Sequence, residues 1–171
     1  MEDSPLQRLS ILFSSDTLAR LRTAKAAVFG VGGVGSWCAE ALVRSGINEI
    51  TLVDSDRVAL SNINRQLPAL ESTVGEFKVD ALSRRLKEIR GGVTVHPLAK
   101  LYTQDSRAEF DWTHFDYVID AIDSVDSKID LLMYAKECGC TVFCSLGAAG
   151  KLDPTLVRAT SIWKTSGCPP G

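Results

Sequence analysis

With 171 residues, the chain is long enough for one well-packed domain, and its 45 % hydrophobic and 23 % charged residues sit near the soluble globular average. A net charge of -2 neither predicts nor excludes a nucleic-acid partner. No apolar run approaches the ~20 residues of a membrane helix, and Glu2 and Asp3 rule out a secretory signal, so a cytoplasmic protein without membrane association is expected.

In chain order, residues 16–23 read as a short helix with Leu18 and Leu21 on its apolar side. Residues 25–30 (KAAVFG) are an apolar run ending in glycine, the signature of a buried strand. Residues 34–45 are predicted helical, with Val34, Trp37, Cys38, Ala41 and Leu42 on one face and Gly46 at the C-cap. A second strand follows at 49–54, then a loop at 56–68 with no clean period. A helix is predicted over 74–89, carrying Val74, Val79, Leu82, Leu86 and Ile89 and ended by Gly91 and Gly92. Strands at 93–97, 117–120 and 141–145 alternate with a short helix within 102–112 and a helix at 128–137. Alternating strands and helices predict an α/β fold: a three-layer, Rossmann-like open sheet, mostly parallel, with helices on both faces. Residues 1–171 are read as one domain, and the Gly- and Pro-rich stretch 165–171 as a linker towards a missing C-terminal portion. Ligands of such sheets bind beyond the carboxyl ends of the strands, here after residues 30, 54, 120 and 145.

The first of these places holds Gly30-Val31-Gly32-Gly33-Val34-Gly35, between a predicted strand and a predicted helix. Gly30 permits the tight turn, Gly32 lets backbone approach a phosphate, and Gly35 lets the helix pack closely on the strand. Gly33 allows a further close approach. Helix-start amides then face the phosphates. Asp54 ends the second strand, 24 residues after Gly30, where a carboxylate accepts ribose hydroxyls. Asp56 either joins it or hydrogen-bonds the following loop.

A dinucleotide domain needs nothing more, yet the segment Ser61-Asn62-Ile63-Asn64-Arg65-Gln66 adds polar groups near the ligand end. Asn62 can donate to a ribose or phosphate oxygen, Arg65 offers a forked phosphate donor, and Gln66 buttresses the loop. Lys78 supplies a second cation at a helix start, suited to charge that develops during nucleotidyl transfer. In Asp120-Ala-Ile-Asp123, Asp123 is the candidate Mg2+ ligand and Asp120 the loop holder. Asp126 and Asp130 read as helix-surface residues. An NAD-dependent oxidoreductase explains Gly30, Gly32, Gly35 and Asp54, but leaves Arg65, Lys78 and Asp123 without a shared task, and His96 and His114 sit in no catalytic motif. A non-catalytic nucleotide-binding scaffold is the other alternative.

The segments GVGGVGSWCAEALVRSG, TLVDSDRVALSNINRQ, VIDAIDSVDSK and GAAGKLDPT together resemble the ubiquitin-activating-like superfamily of adenylating enzymes, most nearly its tRNA threonylcarbamoyladenosine dehydratase branch, over residues 6–164. The resemblance implies ATP and Mg2+ as cofactors. Asp54 and Asn62 would serve ribose and nearby phosphate, Arg65 and Lys78 the phosphates, and Asp123 the magnesium. Arg8 lies where the superfamily places an arginine that reaches across a homodimer into the partner's ATP site. The implied partner is tRNA bearing N6-threonylcarbamoyladenosine, and the implied reaction is adenylation of its carboxylate followed by ring closure. The superfamily's other substrate class, the C-terminus of a ubiquitin-like sulfur-carrier protein in a sulfur relay, is disfavoured by two absences. The five cysteines (Cys38, Cys138, Cys140, Cys144, Cys168) form no CxxC zinc pair, and none sits in a motif suited to thioester transfer. Cys144 reads as a buried thiol, and Trp37, Trp112 and Trp163 as packing residues.

Overall fold

The computed structural model describes residues 5–147 and 150–165. Two helices, α1 (Leu9–Leu12) and α2 (Ser15–Thr23), precede β1 (Lys25–Phe29), α3 (Gly35–Arg44), β2 (Glu49–Val53), α4 (Lys78–Ile89), β3 (Thr94–Leu98), β4 (Tyr117–Asp120), α5 (Val125–Glu137) and β5 (Thr141–Cys144). All four strand pairings are parallel, in the order β3-β2-β1-β4-β5. The chain thus winds outward in both directions from β1, and a crevice opens where β1 and β4 end side by side.

Burial on both faces explains why β1 and β2 are near-continuous apolar runs. On one face, Ala26, Val28, Ile50, Leu52 and Val95 pack against Ala39 and Val43 of α3 and Val79, Leu82 and Leu86 of α4. On the other, Ala27, Phe29, Val53 and Val118 meet Leu131 and Ala135 of α5 and a group of aromatic side chains. Phe29 stacks on Trp112 at 5.7 Å, with Tyr102, Phe110 and Phe115 edge-on around it.

Tyr102, Phe110 and Trp112 come from the stretch expected to hold a short helix, and Phe115 follows it. The segment forms instead two three-residue 3-10 turns, Arg107–Glu109 and Trp112–His114, because four large rings, rather than a helical stripe, cover the sheet. Helix α4 starts later than expected, at Lys78, and Val74 is exposed before it. Helix α5 starts earlier, at Val125, because Ser124 caps it through the amide of Ser127. The short α1 has no counterpart in the sequence reading.

The largest correction concerns α3. Its expected apolar face is largely solvent-facing, with Val34 and Trp37 roughly half exposed. The buried side is Gly35, Ser36, Ala39, Glu40 and Val43. Small residues there bring the helix close to the sheet. The buried Glu40 carboxylate is satisfied by Arg85 at 2.6 Å and Arg44 at 2.8 Å. Burial alone would raise this carboxyl's pKa; the hydrogen bonds and charges of Arg85 and Arg44 outweigh it and hold the pKa below the usual range. Among the described residues, no helix is long and apolar enough to cross a membrane.

Candidate functional site: the carboxyl edge of the sheet

The turn after β1 is shaped by two glycines whose side-chain positions are occupied. Gly30 has φ +83°, and a Cβ on it would lie 2.5 Å from the carbonyl oxygen of Ala121, in the loop after β4. A Cβ on Gly35 would lie 1.8 Å from the Gly30 carbonyl oxygen. These two glycines close the loop onto β4 and seat α3. Gly32 and Gly33 differ: a Cβ on Gly32 would make ordinary contact with Gln66 Nε2 at 3.6 Å, and one on Gly33 would press the flexible Arg65 side chain at 3.3 Å. Their lack of side chains leaves the backbone open at the amino end of α3, where first-turn N–H groups have no partner inside the helix.

Asp54, just past β2, accepts the Val31 amide at 2.9 Å through one oxygen and the Asp56 amide at 2.8 Å through the other. The carboxylate therefore ties the glycine loop to the following strand end and still has lone pairs to offer. Asp56 in turn accepts from Lys78 Nζ at 2.7 Å. Lys78 opens α4 and is buried, while Asp56 is exposed. The Asp56 carboxylate thus neutralises Lys78 rather than bonding the loop that follows it.

The crossing loop 60–68 supplies the other wall. Asn62 caps its own 3-10 turn, accepting from the Ala59 amide at 3.0 Å, and its carbonyl accepts the amides of Arg65 and Gln66. Arg65 lies over Gly33, exposed, with Nη1 donating to the Ser61 carbonyl and to Asn64 Oδ1. Gln66 is buried beside Gly32, and its Oε1 has no hydrogen-bond partner among the described residues. Two residues that sequence reasoning did not select bind the loops together. The buried Ser36 hydroxyl donates to the Gly32 carbonyl at 2.6 Å and accepts from the Leu67 amide at 3.3 Å. Trp37 Nε1 donates to the Arg65 carbonyl at 3.0 Å. A small polar residue directly after Gly35 was the available signal.

At the end of β4, Asp120 is fully buried and accepts from Lys128 Nζ at 2.6 Å, the Ile122 amide at 3.0 Å and Cys144 Sγ at 2.9 Å. It holds the loop, and Lys128, missed in the sequence, is its counter-ion. Burial, then the Asp120 hydrogen bond, pushes the Cys144 thiol up to about 12. Asp123, two residues past Ala121, is exposed and forms no hydrogen bond or ion pair with the described residues. Asp130, expected on the helix surface, instead accepts from Tyr102 and Arg107. Trp112 is a core residue and Trp163 is exposed. Cys168 and residues 166–171 lie outside the described residues.

Arg8 is the expected site residue that the fold keeps apart. Leu6 packs on Gly46 at the carboxyl end of α3, and Arg8 is exposed two residues later. The ten-residue α3 is ~15 Å long, which puts Arg8 far from the glycine loop of its own chain.

The chain as a whole has close counterparts among known proteins. The model of the ThiF family matches residues 6–166. A tRNA threonylcarbamoyladenosine dehydratase of Haemophilus influenzae is 44 % identical over 154 residues, covering 90 % of this chain and 59 % of that protein. One of Bacillus subtilis is 42 % identical over 158 residues, covering 92 % of this chain and 62 % of that protein. The crystal structure of the Escherichia coli tRNA N6-threonylcarbamoyladenosine dehydratase in complex with ATP superposes with a TM-score of 0.90 at 37 % identity, covering 94 % of this chain and 66 % of that one. The chain thus spans about three-fifths of the length of the curated relatives it matches. A parallel sheet that splits at β1, a glycine loop held by Asp54, and a family match over nearly its whole length agree: the chain belongs to the ThiF family.

Proposed function

We propose that this chain is the ATP-binding, adenylating part of a tRNA threonylcarbamoyladenosine dehydratase. The observation that carries the reading is the convergence of the open Gly32–Gly33 backbone with Arg65, Gln66 and the Asp54–Asp56–Lys78 chain at one end of the sheet. The residues fit ATP. Gly32 and Gly33 leave room for a phosphate, and the unpaired Gln66 Oε1 beside them can accept from a donor-bearing ligand. The residues also fit magnesium, since Asp123 is a carboxylate without another partner at the same edge.

In this reading, Asp54 and Asn62 orient the ribose, the α3 amides cradle phosphate, and Arg65 and Lys78 stabilise the charge that shifts as pyrophosphate departs. Arg65 is freed by exchanging its neutral partners, Ser61 and Asn64, for a phosphate. Lys78 has to share its charge between Asp56 and the nucleotide. Mg2+ held by Asp123 would neutralise phosphate oxygens. The substrate carboxylate of N6-threonylcarbamoyladenosine attacks the α-phosphate; pyrophosphate leaves, and the carboxylate oxygen becomes part of AMP, a good leaving group. The tethered nitrogen then attacks the activated carbonyl, AMP leaves, and a hydantoin ring closes, driven largely by proximity. A homodimer gives Arg8 its only route to an ATP site, that of a second copy. Exposed Ile11 and Leu12 on α1 provide apolar surface for such a contact.

The test is direct. ATP with Mg2+ should raise the melting temperature of the chain and NAD+ should not; the opposite preference overturns the reading. In protein extended to the length of its relatives, tRNA carrying N6-threonylcarbamoyladenosine should lose one water per modified nucleoside by mass analysis. Arg65→Ala and Asp123→Ala should each keep the fold and abolish pyrophosphate release. A normal release rate in either removes its assigned role.

A further inference from the structure

The opposite end of the sheet carries a second group of chemically capable side chains that adenylation does not use. Glu49 opens β2 and Lys25 opens β1, and the two are register partners. His96 in β3 pairs with Thr51, two residues along from Glu49. Strand alternation therefore sets Lys25, Glu49 and His96 on one face, the face covered by the aromatic cluster. The 3-10 turn that drives Trp112 into that cluster also brings His114 to the rim. His114 Nε2 lies 2.7 Å and His96 Nε2 3.1 Å from the same atom, Glu49 Oε1. One ligand atom from each residue lies within 4.8 Å of the others, and all three residues are partly exposed. Asp54 is five residues further along the strand direction, ~16 Å away, so this cluster is separate from the glycine loop.

We propose that Glu49, His96 and His114 form a binding site for Zn2+ or a similar borderline transition-metal cation. Two imidazole nitrogens and one carboxylate oxygen are the ligand types that such ions prefer, whereas Mg2+ and Ca2+ favour oxygen alone. Ligands ~2.0 Å from a tetrahedral ion stand ~3.3 Å apart, so His114 Nε2 has to retreat from Oε1 by ~0.6 Å and His96 Nε2 by ~0.2 Å, with the two nitrogens starting within 4.8 Å of each other. Two of the ligands are fixed by strand register and the third by the packed turn, so little ordering opposes binding. Partial exposure gives the ion an entry path and leaves a fourth position for water.

One neighbour opposes the ion. Lys25 Nζ lies 3.3 Å from His114 Nδ1. An ammonium can only donate, so Nδ1 accepts and the imidazole proton sits on Nε2, facing Glu49. To bind a cation through Nε2, His114 must carry its proton on Nδ1 instead, and Lys25 must swing outward on its flexible stem. His96 Nε2, which donates to Glu49 Oε1 in the absence of a metal, must likewise give up its proton to Nδ1 before it can bind a cation. Lys25 is thus a built-in competitor, and its removal should tighten the site.

Co2+ titration of tag-free protein tests this, because cobalt reports its ligands by colour. The expected result is one equivalent bound, with visible bands of a low-coordinate nitrogen–oxygen site and no near-ultraviolet thiolate charge-transfer band. His96→Gln and His114→Gln should each weaken binding about 10-fold or more, the double variant should abolish it, and Lys25→Met should strengthen it several-fold. Stabilisation by ATP and Mg2+ should be unchanged in His96→Gln, which separates loss of the metal site from loss of fold and from failure of the adenylation reading. Binding that survives in the double variant, a thiolate band, or no binding at about 0.1 mM Co2+ each overturns the proposal.

Discussion

Lys78 and Asp56 form a 2.7 Å ion pair in which the cation is buried and the anion faces solvent. The asymmetry means that the pair's burial cost falls on Lys78 alone. Asp56→Asn leaves that ammonium without its counter-charge and should destabilise the chain by about 1–3 kcal/mol. Bound triphosphate would supply the missing negative charge, so the melting-temperature increase on adding ATP and Mg2+ should be larger in Asp56→Asn than in wild type. An equal or smaller increase would show that Lys78 does not face the nucleotide.

The glycines should separate by role. Gly35→Ala forces a methyl group to 1.8 Å from a carbonyl oxygen and should cost more than about 3 kcal/mol or prevent folding. Gly32→Ala meets only a side-chain amide at 3.6 Å and should fold normally, with ATP stabilisation lost. Circular dichroism and thermal melts with and without nucleotide read both effects.

Acid should loosen the contact between α3 and α4. Glu40 links them through Arg85, and its carboxyl pKa is depressed in the fold. A depressed carboxylate contributes stability that is present above its unfolded value of about 4.3 and is lost as pH falls through the folded value. Stability measured in urea should therefore fall below about pH 4.5. Glu40→Gln should remove part of that dependence and cost about 1–2 kcal/mol at neutral pH, since both arginines can still reach water.

Thiol labelling should be selective. Cys144 donates to buried Asp120 and has its pKa pushed up to about 12, and burial raises that of Cys140. Cys138 is exposed. Among the cysteines of the described residues, iodoacetamide at pH 8 should modify Cys138 first and leave Cys140 and Cys144 unreacted until the chain unfolds, as read by peptide mass. Rapid labelling of Cys144 in the folded chain would contradict its place in the Asp120 network.

Much of this arrangement was legible before any coordinates. The strands at 25–29, 49–53 and 117–120 are written as apolar runs, and a glycine loop followed 24 residues later by Asp54 defines where a ligand can enter. What stayed hidden depends on side chains that meet only after folding. Glu40 and Ser36 fall outside the apolar face expected for α3 yet point inward, because Arg85 and the Leu67 amide satisfy them from elsewhere in the chain. Lys128 draws no notice in the sequence, because its partners, Asp120 and the Ser145 carbonyl, meet it only when β4, α5 and β5 pack together. Residues 102–112 are expected to hold a short helix, yet their rings pack around Phe29 and leave no helical stripe. Helical periodicity identified α3 but not its inner face, since small residues rather than large ones make the closest approach to a sheet.

The Ser36 hydroxyl, held between the Gly32 carbonyl and the Leu67 amide, has a thermodynamic corollary. It staples two chain segments 31 residues apart before any guest arrives. A nucleotide entering between them meets walls already in place, so less of its attraction is spent on freezing mobile backbone. Ser36→Ala would cut that staple, and the penalty should surface as weaker affinity with a larger unfavourable entropy of association.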